Sequence, residues 1–151
     1  MIHLNEIVKP EVFGRISIDH RLHISHIHYA VNCIRSHFKN PLIINDYVSR
    51  FYSGYRTIEE HIKLYDLLNE KRLMKNKPRL SVPMKSQHLI GAAVDLFDPT
   101  FEIKKWVLDH LDIIERLDLY MEDFDATGGI DGGWLHIGLY PPQSGKRFFK
   151  P

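Results

Sequence analysis

Two short apolar runs, about forty residues apart, each carry one polar residue where a core strand would carry an aliphatic one. No other feature limits the fold as tightly. In Ala93-Val94-Asp95-Leu96, strand alternation sends Val94 and Leu96 to one face and Ala93 and Asp95 to the other. In Trp134-Leu135-His136-Ile137-Gly138-Leu139 the aliphatics share a face and His136 points the opposite way. If the two strands pair, a carboxylate and an imidazole meet on the face away from the aliphatic core.

A third polar residue, His88, lies seven positions before Asp95. On one helix that spacing would separate the two by about 10.5 Å along the axis, at roughly 1.5 Å per residue, too far for one metal ion. On one straight strand the odd spacing sends them to opposite faces. They converge only if the chain bends between them, and Gly91 followed by Ala92 and Ala93 is where a bend is cheap. Two His and one Asp, with a position left for water, form a catalytic rather than a structural zinc pattern, because a structural site closes all four positions. The single Cys33 excludes an intramolecular disulfide framework and a thiolate-built cluster.

The rest of the chain reads as one α+β domain over residues 1–151, a small, mainly antiparallel sheet flanked by about three helices. Helical periodicity covers Arg21 to Asn40, with Asp19 or Ser25 as caps, then Thr57 to Asn76, then Phe101 to Leu117. Thr57 and Glu60 form a capping box, and Ile58, Ile62, Tyr65 and Leu68 share a face of the second helix. Strands are expected at Leu42–Ile44, Ala92–Phe97, Leu119–Phe124 and Trp134–Tyr140, the last before a Pro-Pro tail. The tail either packs back over the sheet or presents Phe148 and Phe149 to a partner. Residues Lys75 to Lys85 read as an exposed, irregular connection.

With 20 Lys+Arg against 19 Asp+Glu spread along the chain, nucleic acid is not an expected partner. No apolar run approaches the length of a membrane span and no secretory signal is apparent, so synthesis in the cytoplasm is expected. Ten histidines look enriched. His20, His23, His26 and His28 read as an exposed helix face, since no carboxylate at matching spacing completes a site. His61 and His110 read as helix-surface residues and Cys33 as a small buried side chain.

The order Ser86-x-His88-x-x-Gly91-x-Ala93-x-Asp95, then Trp134-Leu135-His136, with Ser53-Gly54-Tyr55-Arg56-Thr57 upstream, resembles the signature of the zinc D-alanyl-D-alanine peptidases. That group shares its site with lysostaphin-type endopeptidases and the hedgehog signalling domain. The resemblance runs from about Leu42 to His136. It implies a hedgehog/DD-peptidase-like fold in which His88, Asp95 and His136 bind Zn2+ and Arg56 steadies the scissile carbonyl oxygen as it gains charge. Ser86 and Gln87 would support the His88 loop and line the substrate site, and Trp134 would wall the cleft. Many members carry a Glu, Asp or His three residues before the last histidine as general base, where this chain has Gly133. The nearest carboxylate is Asp131, with Glu122, Asp123 and Asp125 on the preceding segment. Asp131 is therefore the candidate base, with a turn-forming role before Gly132 as its alternative.

The implied activity is hydrolysis of peptidoglycan stem peptides, as a D-alanyl-D-alanine carboxypeptidase or an L-alanyl-D-glutamate-type endopeptidase. A single-domain form without a leader resembles phage lysins and virion wall hydrolases, which reach the wall through a holin or with the particle; a monomer is expected. The opposing expectation is a zinc-binding or zinc-free structural module, such as a virion component, that keeps the fold without catalysis. An amidase or esterase using the same site is a third.

Overall fold

The computed structural model describes residues 1–44, 53–122, 133–142 and 145–149. Among these, helices α1 (Leu4–Ile7), α2 (Pro10–Phe13), α3 (Ile18–Arg35), α4 (Ile58–Met74), α5 (Glu102–Asp109) and α6 (Leu111–Arg116) accompany strands β1 (Ala93–Phe97), β2 (Tyr120–Glu122), β3 (Trp134–Gly138) and β4 (Phe148–Phe149). A 3-10 turn spans Gln87–Ile90. The α+β class holds, but six helices stand where about three were expected. Helices α1 and α2 are single turns, too short to show a period, and Ile2, Ile7 and Val8 around them are buried in the core. The third expected helix is broken at His110, whose φ of −135° and ψ of 44° divide α5 from α6.

The sheet order is β1-β3-β2-β4. Strand β3 pairs antiparallel with β1 and β2, whereas β4 lies parallel to β2. The tail after Pro141-Pro142 thus joins the sheet edge through its backbone, with the Met121 N–H donating to the Arg147 carbonyl at 2.7 Å. Strand β3 is accordingly not the last, and it ends at Gly138 rather than Tyr140. Leu42–Ile44 does not form a full strand: Ile44 makes one isolated bridge to Leu96, and Ile43 accepts from Phe97 N at 2.9 Å. With Ser53, which accepts from Asp95 N at 2.8 Å, this segment covers the outer edge of β1.

Pairing fixes the two faces of the sheet. Val94, Leu96, Met121, Leu135 and Ile137 are fully buried in the core together with Ile24, Ile27, Val31 and Ile34 of α3. Burying each aliphatic side chain contributes about 1.5–3 kcal/mol. Helix α3 is capped by Ser17, which accepts from His20 N at 3.2 Å, not by Asp19 or Ser25. On α4 the expected capping box is present, formed by Thr57 and Glu60.

The buried face of α4 is rotated from the expected one. Ile58 and Ile62 are exposed, while His61, Leu64 and Asn69 are buried. The cause is the 78–85 segment, which is strapped along α4 by polar bonds. Asn69 exchanges two hydrogen bonds with the Leu80 backbone at 2.7 and 3.0 Å, Arg72 donates to the Pro78 carbonyl, and His61 Nε2 bonds the Pro83 carbonyl at 3.2 Å.

Gly54 is held by close approach: a Cβ there would collide with the Ile7 carbonyl, which accepts from Tyr55 N at 2.8 Å. Gly54→Ala is expected to lose about 1–3 kcal/mol, because backbone rather than a flexible side chain must give way. Gly14 has open space around it and a φ of −71°, so Gly14→Ala is expected to be neutral or to gain up to about 1 kcal/mol. Urea unfolding of the two variants reads the difference; equal midpoints would contradict the Ile7–Gly54 contact.

Candidate metal centre

Three chain segments deliver three side chains to the face of the sheet opposite the core. In the β1–β3 register Asp95 stands directly across from His136, flanked by the pairs Phe97–Trp134 and Ala93–Gly138. His88 arrives from the 3-10 turn, which closes at Gly91 with a φ of +75°. A Cβ at Gly91 would lie 2.5 Å from Ile24 Cγ1, so the left-handed bend and the packing on α3 both require glycine. The bend expected between His88 and Asp95 is therefore present, and it turns the chain from the 3-10 turn into β1.

The loop before α4 then fixes the imidazole of His88. Arg56 N donates to the His88 carbonyl at 3.1 Å, and His88 Nδ1 donates to the Gly54 carbonyl at 2.8 Å. That bond sets the tautomer and leaves Nε2 as the ring's lone-pair donor. His88 Nε2 lies 3.4 Å from Asp95 Oδ1, and His136 Nδ1 lies 2.8 Å from the same oxygen. The two imidazoles meet edge to face with centroids 5.1 Å apart. The three ligand atoms all lie within 4.8 Å of one another, so the group could hold a metal ion. Metal–ligand bonds of about 2.0–2.2 Å in tetrahedral geometry place ligand atoms roughly 3.3–3.5 Å apart. The donor set fits, and among the described residues it supplies three ligands.

Electrostatics favour the same use. Burial and the Arg56 charge lower the pKa of His88 to about 4, so the ring is neutral, the form that binds metals. Burial alone would raise Asp95, but the positive charge that His88 and His136 carry when protonated, and the hydrogen bond from His136 Nδ1, hold it well below the usual carboxylate range. Burial works against protonated His136, yet its hydrogen bond to Asp95, with the charges of Asp95 and Glu122, raises its pKa.

Arg56 comes to the same place, donating from Nη2 to Asp95 Oδ2 at 3.1 Å, with both groups almost buried. It holds the carboxylate oxygen that faces away from the imidazoles. Gln87 supports the turn: its amide donates to the Tyr140 carbonyl at 2.9 Å and accepts from Tyr140 N at 3.1 Å. Gly138 makes room for this clamp, since a Cβ there would lie 2.6 Å from Gln87 Oε1. Ser86 opens the turn with its backbone, accepting from Leu89 N at 3.1 Å. Trp134, half-buried, shares the sheet face of His136 two residues away. Asp131 lies outside the described residues, as do Asp123 and Asp125.

Three residues of this region carry no motif of their own. Continuing the β2–β3 register by one residue sets Glu122 across from His136, opposite Asp95's side of the strand. Burial raises the pKa of Glu122 against the pull of His136. Tyr65 of α4 is raised by burial and lies within the electrostatic reach of Arg56, Glu122 and Asp95. His61 is buried, not a helix-surface residue, and packs on Tyr65 with ring centroids 5.1 Å apart. Glu122 is one of the carboxylates that the sequence offers on the segment before Gly133, but its place across from His136 depends on a strand register that the sequence does not report.

Elsewhere the histidines tie elements together. His23 bonds the Ile90 carbonyl at 3.1 Å and the Tyr140 hydroxyl at 2.6 Å, and His28 bonds the Ile2 carbonyl at 2.9 Å. Only His26 of the expected exposed face is fully exposed. His110 is half-buried and stacks on Trp106 at 4.5 Å, and Cys33 is half-buried rather than buried. Among the described residues no helix is long and apolar enough to cross a membrane. No family model matches the chain, and no curated protein or solved structure matches it either.

Metal binding displaces protons from ligands that carry them. Asp95 is already ionised and His88 already neutral above about pH 4, so at pH 5.5 only His136 has a proton to lose. Titration calorimetry in buffers of different ionisation enthalpy is expected to show about one proton released per divalent ion, against nearly two for two imidazoles of ordinary pKa about 6.5. Arg56→Ala should weaken metal affinity about 10–100-fold by freeing Asp95 Oδ2. Release of two protons, or unchanged affinity in the variant, would contradict the arrangement.

Proposed function

We propose that the protein is a zinc metallopeptidase that hydrolyses peptide bonds in peptidoglycan stem peptides. The observation that carries this reading is the buried His88–Asp95–His136 group, which brings three ligand atoms within 4.8 Å of one another. Two imidazoles and a carboxylate suit zinc, and three protein ligands with water as the fourth are the pattern of a catalytic rather than a structural site. The substrate class rests on the resemblance of the His88, His136 and Arg56 segments to the D-alanyl-D-alanine peptidases.

When bound, zinc supplies Lewis-acid chemistry, polarising a carbonyl and easing deprotonation of water near neutral pH. The chain's own residues prepare the site for this. Gly54 orients His88, Arg56 holds Asp95, and the β1–β3 register fixes His136 against Asp95. Because these contacts exist among the protein groups themselves, little reorganisation remains when a substrate arrives. Arg56, kept cationic beside the cluster, adds positive potential where a carbonyl oxygen gains charge, and Trp134 borders the same face. On this reading the protein works at the cell wall.

A second reading, a structural module without catalysis, draws on Gly133. A Cβ there would collide with the Asp98 carbonyl and approach Phe101 Cε1 at 3.1 Å, so no side chain can occupy the position where the resembling family carries its base.

Mass spectrometry of muropeptides incubated with the zinc-loaded protein and with His88→Ala separates the two. The peptidase is expected to release new stem-peptide fragments. Its His88→Ala variant should work at less than about one hundredth of the rate, since even loss of an outer partner of a ligand costs about 10–100-fold. Muropeptides left intact by protein shown to carry zinc would favour the structural module.

A further inference from the structure

We propose that Glu122 is the general base of the site, taking from the neighbouring strand β2 the task that position 133 cannot perform; this rests on the peptidase reading above. Three features of the structure support it. Continued one residue past Met121–Ile137, the β2–β3 register sets Glu122 across from His136, which pairs with Asp95 on its other side, and residues opposite one another in a sheet project to the same face. Glu122 therefore shares the face of the metal-binding group. It is half-buried, and among the described residues no hydrogen bond or ion pair to its carboxylate is present, whereas Asp95 in the same row is bonded to both His136 and Arg56.

Glu122 is also outside the ligand group: its carboxylate is not among the atoms that lie within 4.8 Å of one another. A carboxylate on the ligand face, one strand beyond His136 and not itself a ligand, is placed to reach a water between the group and a substrate. Gly133 supplies the complementary fact. Its backbone is locked by the bond from Asp98 N to its carbonyl at 2.9 Å, and its missing side chain leaves the base to come from elsewhere.

In the step assigned to it, the Glu122 carboxylate accepts one proton from the attacking water as the water oxygen bonds to the scissile carbonyl carbon. The same proton passes to the amide nitrogen as the C–N bond breaks. Acid and amine leave, equilibrate to carboxylate and ammonium, and return Glu122 ionised; one water is consumed and no other reactant is needed.

Glu122→Gln keeps the shape and removes the base. In the full-length, zinc-loaded protein, kcat on muropeptides is expected to fall about 10²–10⁴-fold with KM nearly unchanged. Zinc affinity should stay within about threefold of the parent, because Glu122 is not a ligand. A phosphinate dipeptide, which places two oxygens where the attacking water and the carbonyl oxygen would be, should bind at least about tenfold more weakly to the variant by calorimetry.

An active parent with an equally active Glu122→Gln variant overturns the inference and leaves the peptidase standing. A variant that loses zinc overturns it too, by making Glu122 a ligand. If the parent cleaves no muropeptide, the peptidase reading fails on its own terms. Glu122 then has no reaction to serve, and its assignment falls with that reading.

Discussion

Asp95 is a carboxylate held almost out of water, and the functional face of the molecule is organised around keeping it charged. A buried carboxylate is costly unless it is paired and hydrogen-bonded. Here Oδ1 accepts from His136 and stands 3.4 Å from His88, while Oδ2 accepts from Arg56. Each of those partners comes from a different part of the chain. The pairing of β1 with β3, the glycine bend before β1, and the Ser53–Arg56 loop all have to be in place together. The backbone joins in, since Asp95 N donates to Ser53 and Arg56 N to His88. The same charge draws a proton to His136 while burial and Arg56 strip one from His88. The cluster is therefore poised asymmetrically before any ion arrives.

The sheet gives this cluster its rigidity by dividing its two faces. Val94, Leu96, Leu135 and Ile137 fill the core against α3, so a slip of register by one residue would bury Asp95 and His136 in hydrocarbon and expose four aliphatics. Burial on one face thus specifies the chemistry on the other. Small residues complete the fit: Gly138 admits the Gln87 amide that ties the His88 turn to the end of β3, and Gly91 admits Ile24. These contacts place a loop-borne ligand on rigid elements, as precise sites require.

Much of this was legible in the sequence because the strand period is two. Alternation put Asp95 and His136 each on the non-aliphatic face of its strand, so that pairing of the two strands would bring them together, and the failure of helix and straight-strand geometries demanded the bend at Gly91. What remained hidden depends on contacts between distant segments. His61 looked like a surface residue because nothing local reports that the 78–85 segment closes over it. The break at His110 has neither proline nor glycine to announce it, and α1 and α2 are shorter than one period of any helical pattern. Strand β4 was missed because two residues, pairing mainly through the backbone, leave no alternation to read. Glu122 stood out from the other nearby carboxylates only once register set its strand beside His136.

The central claim is that His88, Asp95 and His136 together bind one metal ion. The most direct measurement is an anomalous-difference map at the zinc edge from crystals grown with zinc. The account predicts one dominant peak about 2.0–2.2 Å from His88 Nε2, the Asp95 carboxylate and His136 Nδ1. A peak elsewhere, beside His37 and His110 or at His23, with none at this group, would contradict it.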